Sequence, residues 1–152
     1  MSDKEFVLEA MRKQGRATAL ALQEKSSTMT GTELNAEADY IPSFQAAKAA
    51  MNMLNRKAGM TDGFVCKSSA GRVVRLIQNY DSDIFPAEPE ELPAQYGFVW
   101  SNDPAKAKPF IALSTSPYMT GNCCTENGET FRSKIDNNVF APSAYQDGWE
   151  KV

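Results

Sequence analysis

The stretch GFVCKSSAGRVVRLIQNY, residues 63–80, decides the fold class. Valine, isoleucine and aromatic side chains fill its two arms, and Ser68-Ser69-Ala70-Gly71 divides them. Apolar, β-branched runs separated by small turn residues predict a β-hairpin. Moving toward the C-terminus, three more short stretches have the same texture: YGFVWS (96–101), KPFIALSTS (108–116) and ETFRSKI (129–135), each bounded by proline, glycine or asparagine. That spacing predicts a small, mainly antiparallel β sandwich or open barrel. A thin internal echo accompanies it. Gly71 with Val74-Arg75, and Gly128 with Phe131-Arg132, share one spacing, and each set follows a cysteine-containing apolar stretch.

Between the first two β stretches lies DSDIFPAEPEELPAQ, with three prolines and the five carboxylates Asp81, Asp83, Glu88, Glu90 and Glu91. Proline removes ladder donors, so this segment suits an ordered, exposed loop rather than a strand. Asp81-Ser82-Asp83 lacks the remaining ligand positions of a calcium loop, so its charge is read as solvation.

Toward the N-terminus the period changes to that of a helix. Ser2 and Glu5 have capping-box spacing, and Leu8, Met11, Gly15, Ala19 and Leu22 recur at three- or four-residue steps. Glycine and alanine make this stripe narrow. It buries little area alone, so a partner helix or neighbouring subunit is expected. After the loop SSTMTGT and a short helical or irregular stretch, TELNAEADY, a second helix is predicted from Ser43, with Phe44, Ala47, Met51 and Leu54 inward and Gly59 as its stop. The fold class is therefore α+β: residues 1–60 form a helical docking or oligomerisation segment and residues 61–152 a small β region.

Composition bounds the function. A chain of 152 residues with net charge −3 has no basic run for gripping a nucleic acid duplex. Histidine is absent, which removes the commonest general base, nucleophile partner and metal ligand. Cys66, Cys123 and Cys124 are too few for a disulfide scaffold and wrongly spaced for zinc, so reduced, packed thiols are expected. A Cys66 disulfide to one of the pair remains open. Glu88, Glu90 and Glu91 lie in a proline-bracketed loop that does not set two carboxylates across a sugar bond. No cofactor, metal or catalytic residue is expected. The N-terminus is not of signal-peptide type and no stretch approaches a membrane span, so folding in a cytoplasm is expected.

Residues 117–152, PYMTGNCCTENGETFRSKIDNNVFAPSAYQDGWEKV, are the most informative. The order of Tyr118, Gly121, a β stretch, Asn127-Gly128, Phe131-Arg132-Ser133, Pro142 and Trp149 resembles the small chitin-binding modules appended to bacterial chitinases. Such modules bind polysaccharide and do not cleave it. IDNNVFAPSAYQDGWEKV, with SSAGRVVRLIQNYDS and PEELPAQYGFVWSNDP, is similar to domains of small proteins encoded beside bacteriophage tail and lysis genes. Together these resemblances cover roughly residues 60–152. They imply a non-enzymatic virion structural protein, in a tail, baseplate, head fibre or capsid decoration, mediating assembly or surface attachment. Its partners would be other virion proteins and further copies of itself, with a trimer suggested by viral analogy. The alternative they imply is a soluble module recognising a host polysaccharide.

Sugar binding needs flat rings in solvent with polar neighbours. Tyr118, Phe140, Tyr145 and Trp149 are the candidate rings, and Asp136, Asn137 and Asn138 the candidate hydrogen-bonding groups. The competing assignment makes Phe131, Phe140 and Trp149 core and Asp136-Asn137-Asn138 a turn. Where the chitin-binding modules expose paired aromatics, this chain has Ile135-Asp136-Asn137-Asn138-Val139. That departure favours virion attachment over sugar binding.

Overall fold

The computed structural model of the chain describes residues 3–46, 48, 64–78 and 80–152. It shows an α+β fold with a helical N-terminal region followed by two sheets. Helix α1 (Asp3–Lys25) and the short helix α2 (Gly31–Ala36) precede a single turn, α3 (Phe44–Ala46). The first sheet orders β1 (Val65–Lys67), β2 (Val73–Leu76) and β3 (Tyr96–Phe98) as an antiparallel meander. The second orders β4 (Lys108–Pro109), β5 (Cys123–Glu126), β6 (Glu129–Ser133) and β7 (Trp149–Lys151). Among the described strands every pairing is antiparallel except the short β4–β5 one, and neither sheet closes into a barrel.

Local chemistry explains the corners. Gly71 (φ +84°) closes the first hairpin, with its N–H donated to Ser68 O at 2.8 Å. Asn127 (φ +52°) and Gly128 (φ +79°) form the tight turn of the second, a geometry that asparagine and glycine tolerate best. Thr30 caps α2 through a reciprocal pair of 3.1 Å bonds with Glu33, a capping box that sequence inspection missed inside the SSTMTGT loop. The expected Ser2–Glu5 box, and the expected positions Ala47, Met51, Leu54 and Gly59 of the second helix, lie outside the described residues. Ser43 does cap that helix, accepting from Ala46 N at 3.1 Å.

Strand alternation builds three layers. Cys66, Val74 and Leu76 point from one face of the first sheet into a core shared with Cys124, Trp149 and Phe131 of the second. Val65 and Val73 point the other way and pack under Leu22, Leu34 and Ile41 of the helical layer. On that same face Arg75 donates to Ser26 O at 2.9 Å. Gly31 admits the contact between layers, because a Cβ there would lie 2.2 Å from Trp100 O.

The strand registers turn the thin sequence echo into a structural repeat. Ser43 bridges Lys67 in parallel, and Pro109 pairs with Thr125 in parallel. Lys67 opposes Val73 as Thr125 opposes Thr130; Leu76 opposes Tyr96 as Ser133 opposes Trp149. This correspondence equates Cys66 with Cys124, Arg75 with Arg132, and Tyr96 with Trp149. It also equates Phe44 with Phe110, and the aromatic contacts agree: Phe44–Tyr96 is edge-on at 6.2 Å and 81°, Phe110–Trp149 at 6.1 Å and 89°. A 3-10 turn precedes each unit, Ala38–Tyr40 in one and Pro104–Lys106 in the other. The two units are thus one supersecondary motif used twice.

Candidate functional site

Burial divides the seven sequence candidates. Tyr118, Asn138 and Trp149 are core residues, at 1%, 0% and 5% exposure. Tyr118 stacks on Trp100 at 4.4 Å and 12°, stacks on Phe110 at 5.4 Å, and meets Trp149 edge-on. Burial pushes its hydroxyl well above the ordinary tyrosine range. Its backbone exchanges hydrogen bonds with Asn138 at 2.8 and 3.0 Å. The Asn138 amide donates to Ser133 Oγ and Gly148 O, and its Oδ1 accepts from Phe140 N, so its polar groups are spent inside. Trp149 donates Nε1–H to Phe140 O at 2.8 Å.

Asp136 and Asn137 are exposed turn residues. Asp136 accepts from Thr120 N at 2.9 Å, and bonds from the Thr120 backbone and side chain hold its carboxyl below the usual range. Asn137 takes a left-handed conformation at φ +55°.

Phe140 and Tyr145 are different in kind. They remain 51% and 42% exposed, and their rings stack at 5.6 Å and 23°. The loop beneath is fixed on every side. Phe140 is held by Asn138 and Trp149, Tyr145 N donates to Ala141 O, and Ser143 N donates to Glu126 Oε1. Gly148 lies under the tyrosine, where a Cβ would sit 2.8 Å from the ring. Beside Tyr145 opens a depression of about 500 Å³ lined by Ser143, Ala144, Gln146 and Asp147. A paired aromatic ledge with adjacent amide and carboxylate groups is therefore present, built from two of the four candidate rings and lying outside Ile135–Val139.

Protein-family models, curated proteins and solved structures give no match to this chain. The ledge must be interpreted from its own chemistry.

The thiols and carboxylates elsewhere are built into the fold. All three cysteines are free and buried. Burial, followed by Glu88 and Glu90, pushes the Cys66 thiol up to about 12; burial, followed by Glu126 and Cys123, pushes Cys124 up to about 12. Both are held protonated at neutral pH, the opposite of an activated nucleophile. In the acidic loop, Glu88 accepts from Ser69 N at 2.9 Å, Ser69 Oγ at 3.0 Å and Gln45 Nε2 at 2.8 Å. Burial works upward on its carboxyl, and these bonds outweigh it and hold the group below the usual range. Glu90 faces Arg72 at 3.9 Å. Asp81, read from the sequence as solvated, is buried at 3% exposure and accepts from Asp83 N through Oδ1 at 3.0 Å, so three of the five carboxylates anchor the loop and do more than solvate it. Among the described residues no cluster of three or more acidic, cysteine or histidine side chains could hold a metal ion, and no helix is long and apolar enough to cross a membrane.

Sequence inspection missed Gly148, Glu126 and the Ser143–Asp147 depression. The available signal was the Asp147-Gly148-Trp149 step, where a glycine precedes a core tryptophan in a loop that must pass close to it.

Proposed function

We propose that this chain is a non-enzymatic bacteriophage virion protein that attaches to its partner through the Phe140–Tyr145 ledge. One observation carries this proposal. The second unit buries Tyr118, Trp149 and, in part, Phe110 and Phe131, yet holds two large rings outward on a loop braced at four points. Exposed, rigid aromatics lose little conformational entropy on docking and supply the anchors that dominate interfaces. The sequence resemblance of residues 117–152 supplies the virion context.

The test is mass analysis of particles released by cells carrying the gene, for the wild type and for Phe140→Ala/Tyr145→Ala. The wild type is expected in the particles at fixed stoichiometry and the double variant, still folded, is expected to be lost from them. Absence of the wild-type chain from intact particles would overturn the virion role.

A second reading is favoured by the ring geometry itself. Two rings inclined by only 23° offer one continuous apolar ledge, and Gln146 and Asp147 stand beside it to bond hydroxyls. This is the chemistry of pyranose recognition. Binding on a glycan array that disappears in the same double variant would select carbohydrate recognition over protein attachment.

A further inference from the structure

The Phe140–Tyr145 ledge has a charge as well as a shape. Of the residues lining the depression beside it, Asp147 alone is charged. The 3-10 turn Gln146–Gly148 sets its place: Gly148 donates its N–H to Tyr145 O at 3.1 Å, so the exposed carboxylate stands two residues from the ring on a closed turn. Among the described residues that carboxylate forms no ion pair and accepts no hydrogen bond. Lys134 is joined to the same turn through its backbone, its N–H meeting Gly148 O at 2.8 Å, and makes no ion pair with Asp147. A second carboxylate reaches the depression from β5, where Glu126 Oε1 accepts from Ser143 N at 2.9 Å.

The chemistry of an occupant follows. Aromatic faces carry negative charge density and attract a cation, and a carboxylate without a partner does the same. A guanidinium meets both demands at once, because its plane stacks on a ring while its N–H fork bonds a carboxylate. An ammonium is compact and strongly hydrated, so it stacks less well. A neutral sugar would leave the Asp147 charge without a counterion.

We infer that the ledge takes an arginine side chain, presented by a basic segment of the partner protein. This inference rests on the attachment role proposed above and names the chemistry that the ledge recognises. The guanidinium stacks on the Phe140–Tyr145 pair and bonds Asp147, with the Gln146 amide beside it for the partner's backbone. The first unit supplies an internal control. Phe85 is exposed two residues from the exposed Asp83, but among the described residues no ring stacks on it, so it lacks the second half of the platform.

NMR titration of the full chain tests it, with the blocked peptide Gly-Gly-Arg-Gly and its counterparts carrying lysine or citrulline in place of arginine. The arginine peptide is expected to shift the ring signals of Phe140 and Tyr145 and to leave those of Phe85 in place. The lysine peptide should bind about threefold more weakly, and the citrulline peptide, planar but neutral, should not bind. Asp147→Asn keeps the shape and removes the charge, so it should weaken arginine binding about threefold, the scale of an exposed ion pair, while Asp83→Asn changes nothing. Equal binding of the arginine and citrulline peptides, or of wild type and Asp147→Asn, overturns the inference. Ring shifts produced by a chito-oligosaccharide and by no peptide overturn it too, and assign the ledge to a glycan. Particle incorporation is scored separately. Asp147→Arg, which sets a like charge against the incoming arginine, should be lost from particles as the double ring variant is. If Asp147→Arg is retained while Phe140→Ala/Tyr145→Ala is lost, the arginine is wrong and the attachment role stands; a wild type absent from particles defeats the role itself.

Discussion

Gln23 forms two hydrogen bonds with the backbone of Val65, donating Nε2–H to the carbonyl at 2.7 Å and accepting the N–H at Oε1 at 2.9 Å. A side-chain amide here does what a neighbouring strand does in a ladder. The equivalent residue of the second unit, Cys123, takes its backbone partner from Ser101 O at 2.8 Å. The C-terminal end of α1 therefore closes the edge of β1.

Removal of that amide is expected to cost stability out of proportion to its size. Gln23→Ala leaves both Val65 groups without their partner, at about 1–3 kcal/mol. For a chain of this length each kcal/mol lowers Tm by about 2–4 °C. Gln23→Glu should recover part of the loss, because a carboxylate still accepts from the N–H but cannot donate to the carbonyl. Thermal unfolding of the three chains decides it, and equal midpoints for Gln23→Ala and wild type would refute the edge-closing role.

Two equivalent thiols give an alkaline limb to the stability curve. Cys66 and Cys124 sit at about 12 in the folded chain against an ordinary 9.0. A folded-state value above the unfolded one contributes stability that is complete below pH 9.0 and is lost as pH rises toward 12, because the unfolded chain releases its protons first. Urea titrations at about pH 8 and about pH 10.5 should show a smaller pH dependence in Cys66→Ala and Cys124→Ala than in wild type. A thiol reagent should leave both residues unlabelled until the chain unfolds; labelling at the rate of an exposed thiol would contradict their burial.

The ledge depends on a glycine that lies beneath it. Gly148→Ala places a methyl 2.8 Å from the Tyr145 ring and 3.2 Å from the Asn138 amide. The ring is the part free to move, so it should swing off Phe140 while the core stays intact. Partner or glycan binding is expected to fall about as far as in Tyr145→Ala, with thermal stability changed by roughly 1 kcal/mol or less. Unchanged binding would show that the ring stacking is not what the partner recognises.

The hairpins were legible because their signals are local. Ser68–Gly71 and Asn127-Gly128 announce turns whatever surrounds them. The layer identity of each aromatic was not legible, because it depends on distant partners: Tyr118 is core because Trp100 and Phe110 flank it, and Trp149 because Phe110 and Tyr118 do. Phe140 and Tyr145 were legible as candidate rings, but their pairing was not, for a related reason. Phe140 and Tyr145 are five residues apart and are brought together by a turn closed through Tyr145 N and Ala141 O at 3.0 Å, which the spacing alone does not announce. The repeat was visible only as a spacing, since Phe44/Phe110 and Tyr96/Trp149 keep their geometry while most intervening residues differ.

Arg72 joins the two units, and its removal should be costly in a specific way. The guanidinium is nearly buried, donates to Pro109 O at 2.7 Å and faces Glu90 at 3.9 Å. Pro109 belongs to β4 of the second unit and Glu90 to the loop of the first, so one side chain spans the boundary. Arg72→Met keeps the apolar stem but leaves a carbonyl and a half-buried carboxylate without their cation, at about 2–3 kcal/mol. Glu90→Gln alone should cost less, since the Pro109 bond survives. In the double variant the stranded charge is gone, so most of the Arg72→Met loss should return, giving a coupling of about 2–3 kcal/mol in a double-mutant cycle. Urea midpoints of the four chains measure it. Simple additivity would mean that Arg72 acts through Pro109 alone and that the carboxylate at 3.9 Å contributes nothing.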